Sequence, residues 1–258
     1  VTEQLRERLV RLADTYECPA FLKDDPSQFM HRYANARDVE IAAFFAANLA
    51  FGQRPQILQH VERVLAAAGD SPAEWIACGS YEDFFPSSDA SFYRVFSFRS
   101  MRLLCDTLRR MLRDGKSLGQ YFQEKYRGCG GGMLLSQLIA QEFPRECTVI
   151  CHGPQSAAKR LQLFLRWMVR DASPVDMGLW GCWYGKEKLL VPLDTHVLQE
   201  AVALDLLPRT ASGRLPAPTL KVSQVLTAEL AEAFPGDPAR GDYALFGLGV
   251  AGERPVSP

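Results

Sequence analysis

The chain has 258 residues, 47% of them hydrophobic and 23% charged, with a net charge of −1. This is the make-up of a globular chain with enough apolar material for a sizeable core, and it excludes collagen-like, mucin-like and wholly disordered classes. No apolar run approaches the roughly 18 to 20 residues of a membrane-spanning helix, and Glu3, Arg6, Glu7 and Arg8 interrupt the opening stretch where a secretory signal needs apolar residues, so a cytoplasmic protein is expected.

Apolar residues recur at three or four from the start: Leu5, Leu9 and Leu12, then Ile41, Phe44, Phe45 and Leu49, then Ile57, Val61, Val64 and Leu65. That period predicts helices, and the fold class expected is all-α. Asp25-Pro26, Asp38, Pro55 and Ser71-Pro72 are the start signals, because a short polar side chain caps a first turn and proline fits within it. Glycine, proline and small polar residues mark loops at 87–90, 128–132, 151–154 and 208–218. The Cys129-Gly130-Gly131-Gly132 tract lacks the Gly-Lys-Ser/Thr ending of a phosphate-binding loop and reads as a flexible turn. Only 189–193 reads as extended and apolar, and Pro192 argues against the centre of a sheet. No repeat or long linker divides the chain.

Seven cysteines, at 18, 78, 105, 129, 147, 151 and 182, are odd in number and scattered, which fits free thiols in a reducing compartment better than a disulfide framework. Cys147, Cys151 and His152 offer three zinc ligands where a structural site takes four, and no late run of four cysteines could hold an iron–sulfur cluster. Neither a metal nor a cofactor is expected. The charge is unevenly spread: nine basic residues face three acidic ones between Arg94 and Arg127, and six face three between Lys159 and Lys188. Such excesses serve either as solvated helix faces or as nucleic-acid contacts, and composition does not choose between them.

Two segments carry candidate chemistry. From Ser156 to Arg170 the pattern is a two-faced helix: Leu161, Phe164, Leu165 and Met168 gather on one side, and Arg166 and Arg170 each fall within roughly 20° of Lys159 on the other. The positive stripe is either a soluble face or a track for phosphates. In Leu190-Val191-Pro192-Leu193-Asp194-Thr195-His196-Val197 an extended approach ends at Asp194 and a helix follows, so Asp194 is an N-cap candidate kept ionised by backbone N–H groups. Capping alone accounts for it; His196 reads as an ordinary first-turn residue.

The Val-Pro-Leu-Asp-Thr-His-Val segment resembles the catalytic-aspartate segment of the helix-hairpin-helix DNA glycosylase superfamily, the group that includes endonuclease III. Ser156-Ala157-Ala158-Lys159 at the start of an apolar helix resembles the segment that carries the nucleophilic lysine in those glycosylase/lyases. Lys159 and Asp194 stand 35 residues apart, a separation similar to the archaeal 8-oxoguanine glycosylase branch. Ile41 to Gln53 looks like the early helix that ends in a duplex-probing glutamine. With Lys159-Arg160-Leu161 and the late Asp242-Tyr243-Ala244-Leu245-Phe246-Gly247-Leu248-Gly249, the whole chain resembles a bacterial family of unknown function near that archaeal branch. One departure stands out: His152-Gly153-Pro154-Gln155 takes the place of the glycine-rich hairpin whose N–H groups hold a phosphate.

The resemblance implies two interlocked helical subdomains with a cleft between them, their cores near 38–150 and 151–250 of a single domain spanning 1–258, and a degenerate hairpin. It implies a base-excision-repair glycosylase with β-lyase activity on damaged double-stranded DNA, 8-oxoguanine being the favoured lesion, nucleoid-associated in the cytoplasm and needing no obligate protein partner. Lys159 would be the nucleophile and Asp194 its assisting carboxylate, while Gln53 would fill the gap left by the extruded nucleotide. Arg160, Arg166 and Arg170 would contact DNA, and Trp167, Trp180 and Phe246, with Trp183, are candidates to stack on the flipped base, against the commoner role of aromatics as core. The alternative is a noncatalytic nucleic-acid-binding protein on the same scaffold.

Overall fold

α1 (Glu3–Tyr16) opens where the Thr2 hydroxyl accepts the Leu5 N–H. Two 3-10 stretches follow, Pro19–Asp24 and Pro26–Arg32, the second capped by Asp25, which accepts the Ser27 N–H. The start signal at Asp25-Pro26 thus opens a tighter helix than the α-helix its neighbours suggest. Next come α2 (Ala36–Asn48), α3 (Arg54–Ala68), α4 (Pro72–Cys78) and α5 (Tyr81–Phe84), then a two-stranded antiparallel hairpin, β1 (Ser91–Tyr93) with β2 (Phe96–Ser97), and α6 (Phe98–Met111), α7 (Leu118–Gly128) and α8 (Leu135–Gln141). α9 (Lys159–Val169), α10 (Thr195–Ala203), α11 (Leu220–Ala233) and α12 (Gly241–Ala251) follow. The structure is a computed structural model and describes residues 1–251. Helix dominates it, as the apolar spacing predicts; the hairpin is the exception, too short for its alternation to register in the sequence.

The chain divides into two units, one of Val1–Lys23 with the chain from Gly153 onward, the other of Asp24–His152. In the second unit α2 is buried along nearly its whole length, as a helix apolar on all sides must be. Its two buried acids act as caps for other helices. Asp38 accepts the Ala73 N–H of α4 and the Ser71 hydroxyl, and Glu40 accepts the Leu118 and Gly119 N–H groups of α7. Each carboxylate meets the positive end of a helix, which offsets the cost of burying it. Asp38, read from sequence as a helix start, therefore lies inside the first turn, and Asn35 is the cap.

In the first unit α1, α10, α11 and α12 share one apolar core, with Leu9, Leu198, Leu226 and Leu245 buried in it. The extended segment 189–193 runs through this core without joining a sheet. Its Val191 N–H donates to Thr227 Oγ1 and its carbonyl accepts from Ser223 Oγ, so side chains of α11 replace the missing strand partner. α12 lies close against α1 at Gly247, where a Cβ would stand 2.1 Å from the Tyr16 ring; at Gly249 a Cβ would meet nothing within 4 Å. Gly247→Ala is expected to lower stability, because about 1–3 kcal/mol of overpacking exceeds the roughly 1 kcal/mol of helix propensity gained. Gly249→Ala gains the propensity alone. Urea unfolding of the two variants should give shifts of opposite sign.

Candidate active site

Asp194 ends the extended segment and caps α10: its Oδ1 accepts the Val197 N–H at 2.9 Å. The other oxygen, Oδ2, lies 2.8 Å from Lys159 Nζ. Lys159 is the first residue of α9, and the residue before it, Ala158, holds a left-handed conformation (φ 47°) with its N–H bonded to Ser156 Oγ. For an alanine this backbone costs about 1–2 kcal/mol, and it turns the chain directly into the helix that carries the amine. The lysine and aspartate side chains are 35% and 29% exposed, so the pair is shielded yet open to a ligand. Burial by itself would raise the Asp194 carboxyl. The Lys159 charge, the Lys159 hydrogen bond and the Val197 N–H outweigh it and hold the group below the ordinary aspartate range.

Behind this pair α9 is buried nearly all round, Arg166 included, and so is Arg170 at its C-cap, each 2% exposed. Arg166 pairs with Asp176 and Asp242; Arg170 pairs with Glu17, Asp176 and Asp237. Arg240 extends the chain of charges to Glu17 and Asp14, and the Tyr243 hydroxyl donates to Asp176 at 2.9 Å. The reading of Arg166 and Arg170 as DNA contacts is therefore corrected: their guanidiniums are spent on carboxylates inside the unit. Helical spacing put them correctly on one stripe, but the acids that cover that stripe come from distant parts of the chain.

The aromatic candidates also move inward. Trp167 and Trp180 are buried, Trp180 edge-on to Phe164 with ring centres 5.2 Å apart, so both belong to the core and neither is open to an extruded base. Phe246 is half-buried with its ring edge-on to Phe21 at 4.9 Å. Arg160 is half-buried beside Lys159 in sequence. Gln53, in the other unit, is exposed and makes no side-chain cap bond. It does not end the early helix, which stops at Asn48; it stands at the N-cap of α3, after Gly52, whose φ of 114° is one that residues with side chains rarely adopt. Before Lys159 the chain runs from Gln141 to α9 without helix, and is pinned through Ala157 to Pro218 and Leu220 to Gln155. Among the described residues no group of three or more histidines, cysteines and acids could hold a metal ion, and no helix is long and apolar enough to cross a membrane.

Sequence reasoning missed Asp242 and Asp176 as parts of the site's surroundings. Asp242 opens α12 and feels both Asp194 and Lys159. Three guanidiniums, Arg166, Arg170 and Arg240, face five carboxylates, Asp14, Glu17, Asp176, Asp237 and Asp242. With negative charge in surplus, burial prevails at Asp242 over the pull of Arg166, and its carboxyl is pushed up to about 6.

The fold and site define a helical protein in which a partly exposed lysine amine is held against a helix-capping carboxylate. The chain belongs to the family described as a protein of unknown function (DUF2400), which matches residues 25–251. No curated protein and no solved structure matches it.

Asp242 gives the pH dependence a defined sign. The folded protein binds this proton up to about pH 6, the unfolded chain only to about pH 4, so unfolding releases a proton within that window and stability falls as pH rises through it. The contribution is up to about 3 kcal/mol. Asp194 and Glu17, held low, act in the opposite sense: their stabilisation is present above about pH 4 and is lost on further acidification. Urea midpoints measured from pH 5 to 7.5 should fall for the parent with a step near 6, and Asp242→Asn should remove that step; parallel curves would assign the proton elsewhere.

Proposed function

We propose that this protein is a DNA glycosylase with associated β-lyase activity, acting on an oxidised purine in duplex DNA, with helices arranged as in the helix-hairpin-helix glycosylases. The observation that carries the reading is the 2.8 Å pairing of Lys159 Nζ with Asp194 Oδ2 in a partly exposed position. Two segments 35 residues apart, which resemble the lysine and aspartate segments of that superfamily, bring their functional atoms into contact.

The chemistry follows from the two groups. The target nucleotide leaves the base stack. Lys159 first gives the proton of its ammonium to solvent, and the amine then attacks C1′; the new C–N bond forms as the bond to the base breaks, and the base departs with the bonding electrons and takes up a proton. Loss of a proton from nitrogen and opening of the sugar give a Schiff base, and removal of a C2′ proton then expels the 3′ phosphate. Asp194 is a poor proton acceptor, since its carboxyl is held below the ordinary range. Its lowered value suits the other role: a permanent negative charge beside a sugar that becomes positive as the base leaves.

Borohydride trapping on a panel of lesion duplexes tests the reading, because only an imine to the protein becomes a stable covalent adduct. Lys159→Gln should abolish trapping, and Asp194→Asn should slow excision by about 10²–10³-fold, both with the helical fold retained by circular dichroism. A parent that binds duplex but traps with no lesion, or a Lys159→Gln variant that still crosslinks, would overturn it.

A further inference from the structure

The unit of residues 24–152 contains a cavity of about 780 Å³ that the Lys159 chemistry does not use. Four guanidiniums line it: Arg37 from the first turn of α2, Arg109 and Arg110 from the last turn of α6, and Arg113 from the turn that follows. Here the basic excess of residues 94–127 becomes local. Part of that excess is neutralised on the surface: Arg99 pairs with Asp89, Arg102 with Glu82, Lys116 with Glu124 and Lys125 with Glu142. The cavity's arginines are less committed. Arg37 Nε is screened from solvent and has no hydrogen-bond partner among the described residues. Arg113 is exposed and makes no ion pair among them. Arg109 uses its Nε on the Ala77 carbonyl and Nη1 on Glu82, and Arg110 uses Nη2 on the Glu142 carbonyl, which leaves each with further N–H donors.

Four forked donors in one cavity fit phosphate oxygens, which accept guanidinium bonds in pairs. The same wall carries Glu74, Asp106 and Asp114. Asp106 already accepts the Tyr81 hydroxyl, whereas Glu74 and Asp114 are exposed. A DNA backbone presents only acceptors and would be repelled by these carboxylates. A ligand that carries both phosphate and hydroxyl or amino hydrogens satisfies the two sets at once, and the volume is that of a small-molecule site.

We propose that this cavity binds a ribonucleotide, its phosphates held by Arg37, Arg109, Arg110 and Arg113 and its hydroxyl and amino hydrogens taken by the acidic side chains. The assignment is independent of the glycosylase reading. Calorimetry at low salt on the full chain, with ADP, pyrophosphate, adenosine and an undamaged duplex as separate titrants, tests it. ADP should bind more tightly than pyrophosphate or adenosine, and Arg113→Glu should weaken ADP at least tenfold with ligand-free melting unchanged. Glu74→Gln should weaken ADP and leave pyrophosphate as it was. Absence of ADP binding, equal binding by Arg113→Glu, equal affinity for ADP and pyrophosphate, or duplex binding that alone depends on Arg113 would each overturn the assignment.

Discussion

The buried charges of Arg166 on α9 and of Arg170 at its C-cap are the constraint on which the first unit depends. A guanidinium taken out of water loses hydration worth many kcal/mol, and only carboxylates in good geometry repay it. Arg166 and Arg170 are each met by at least two acids, drawn from α1's C-terminal neighbour Glu17, from Asp176, from Asp237 and from Asp242 on α12. Breaking one partner would strand a buried charge, so the segments that supply the acids are tied to α9 together. Such a network adds little net stability over an apolar core, but it specifies which segments meet and in what register. The Lys159–Asp194 pair sits at the open end of the same helix and inherits that fixed frame.

The surplus of acid in this network has a chemical consequence. Burial is the main force raising the Asp242 carboxyl, and the charges of Asp194 and Asp176 add to it, because that group adjoins both the network and the Lys159–Asp194 pair. Asp194 escapes the same fate because it has an ammonium and a backbone N–H of its own. Two aspartates near one lysine are thus driven apart in proton affinity by their different partners.

Local features of the sequence were readable wherever the deciding partner lay close along the chain. The caps at Asp194 and Asp25, the proline starts at Pro55 and Pro72 and the loops around 128–132 and 208–218 depend on neighbours within a few residues. The stripe of Lys159, Arg166 and Arg170 was also readable as geometry. Its meaning was not, because Asp237 and Asp242 lie some seventy residues beyond Arg170 and Arg166 and Glu17 lies 153 before Arg170. The same holds for Trp167 and Trp180, whose burial is decided by what packs over them. Gln53 shows the smaller error: the apolar run of α2 extends past Asn48 through Leu49 and Ala50 into Phe51, but the helix does not, and Gly52 reverses the chain so that the glutamine begins the next helix.

Asp194 had a sufficient explanation as a cap, and the structure gives it a second employment without taking away the first. One oxygen accepts the Val197 N–H and the other faces the amine. A cap needs only the first contact; serine or asparagine would supply it about as well. The charge is redundant for capping and is needed only by what stands on the second oxygen. The lysine there lies at the N-terminus of its own helix, where the positive end of the dipole disfavours a cation, so the position serves α9 poorly. Both residues make better sense as a pair than as parts of the two helices they begin.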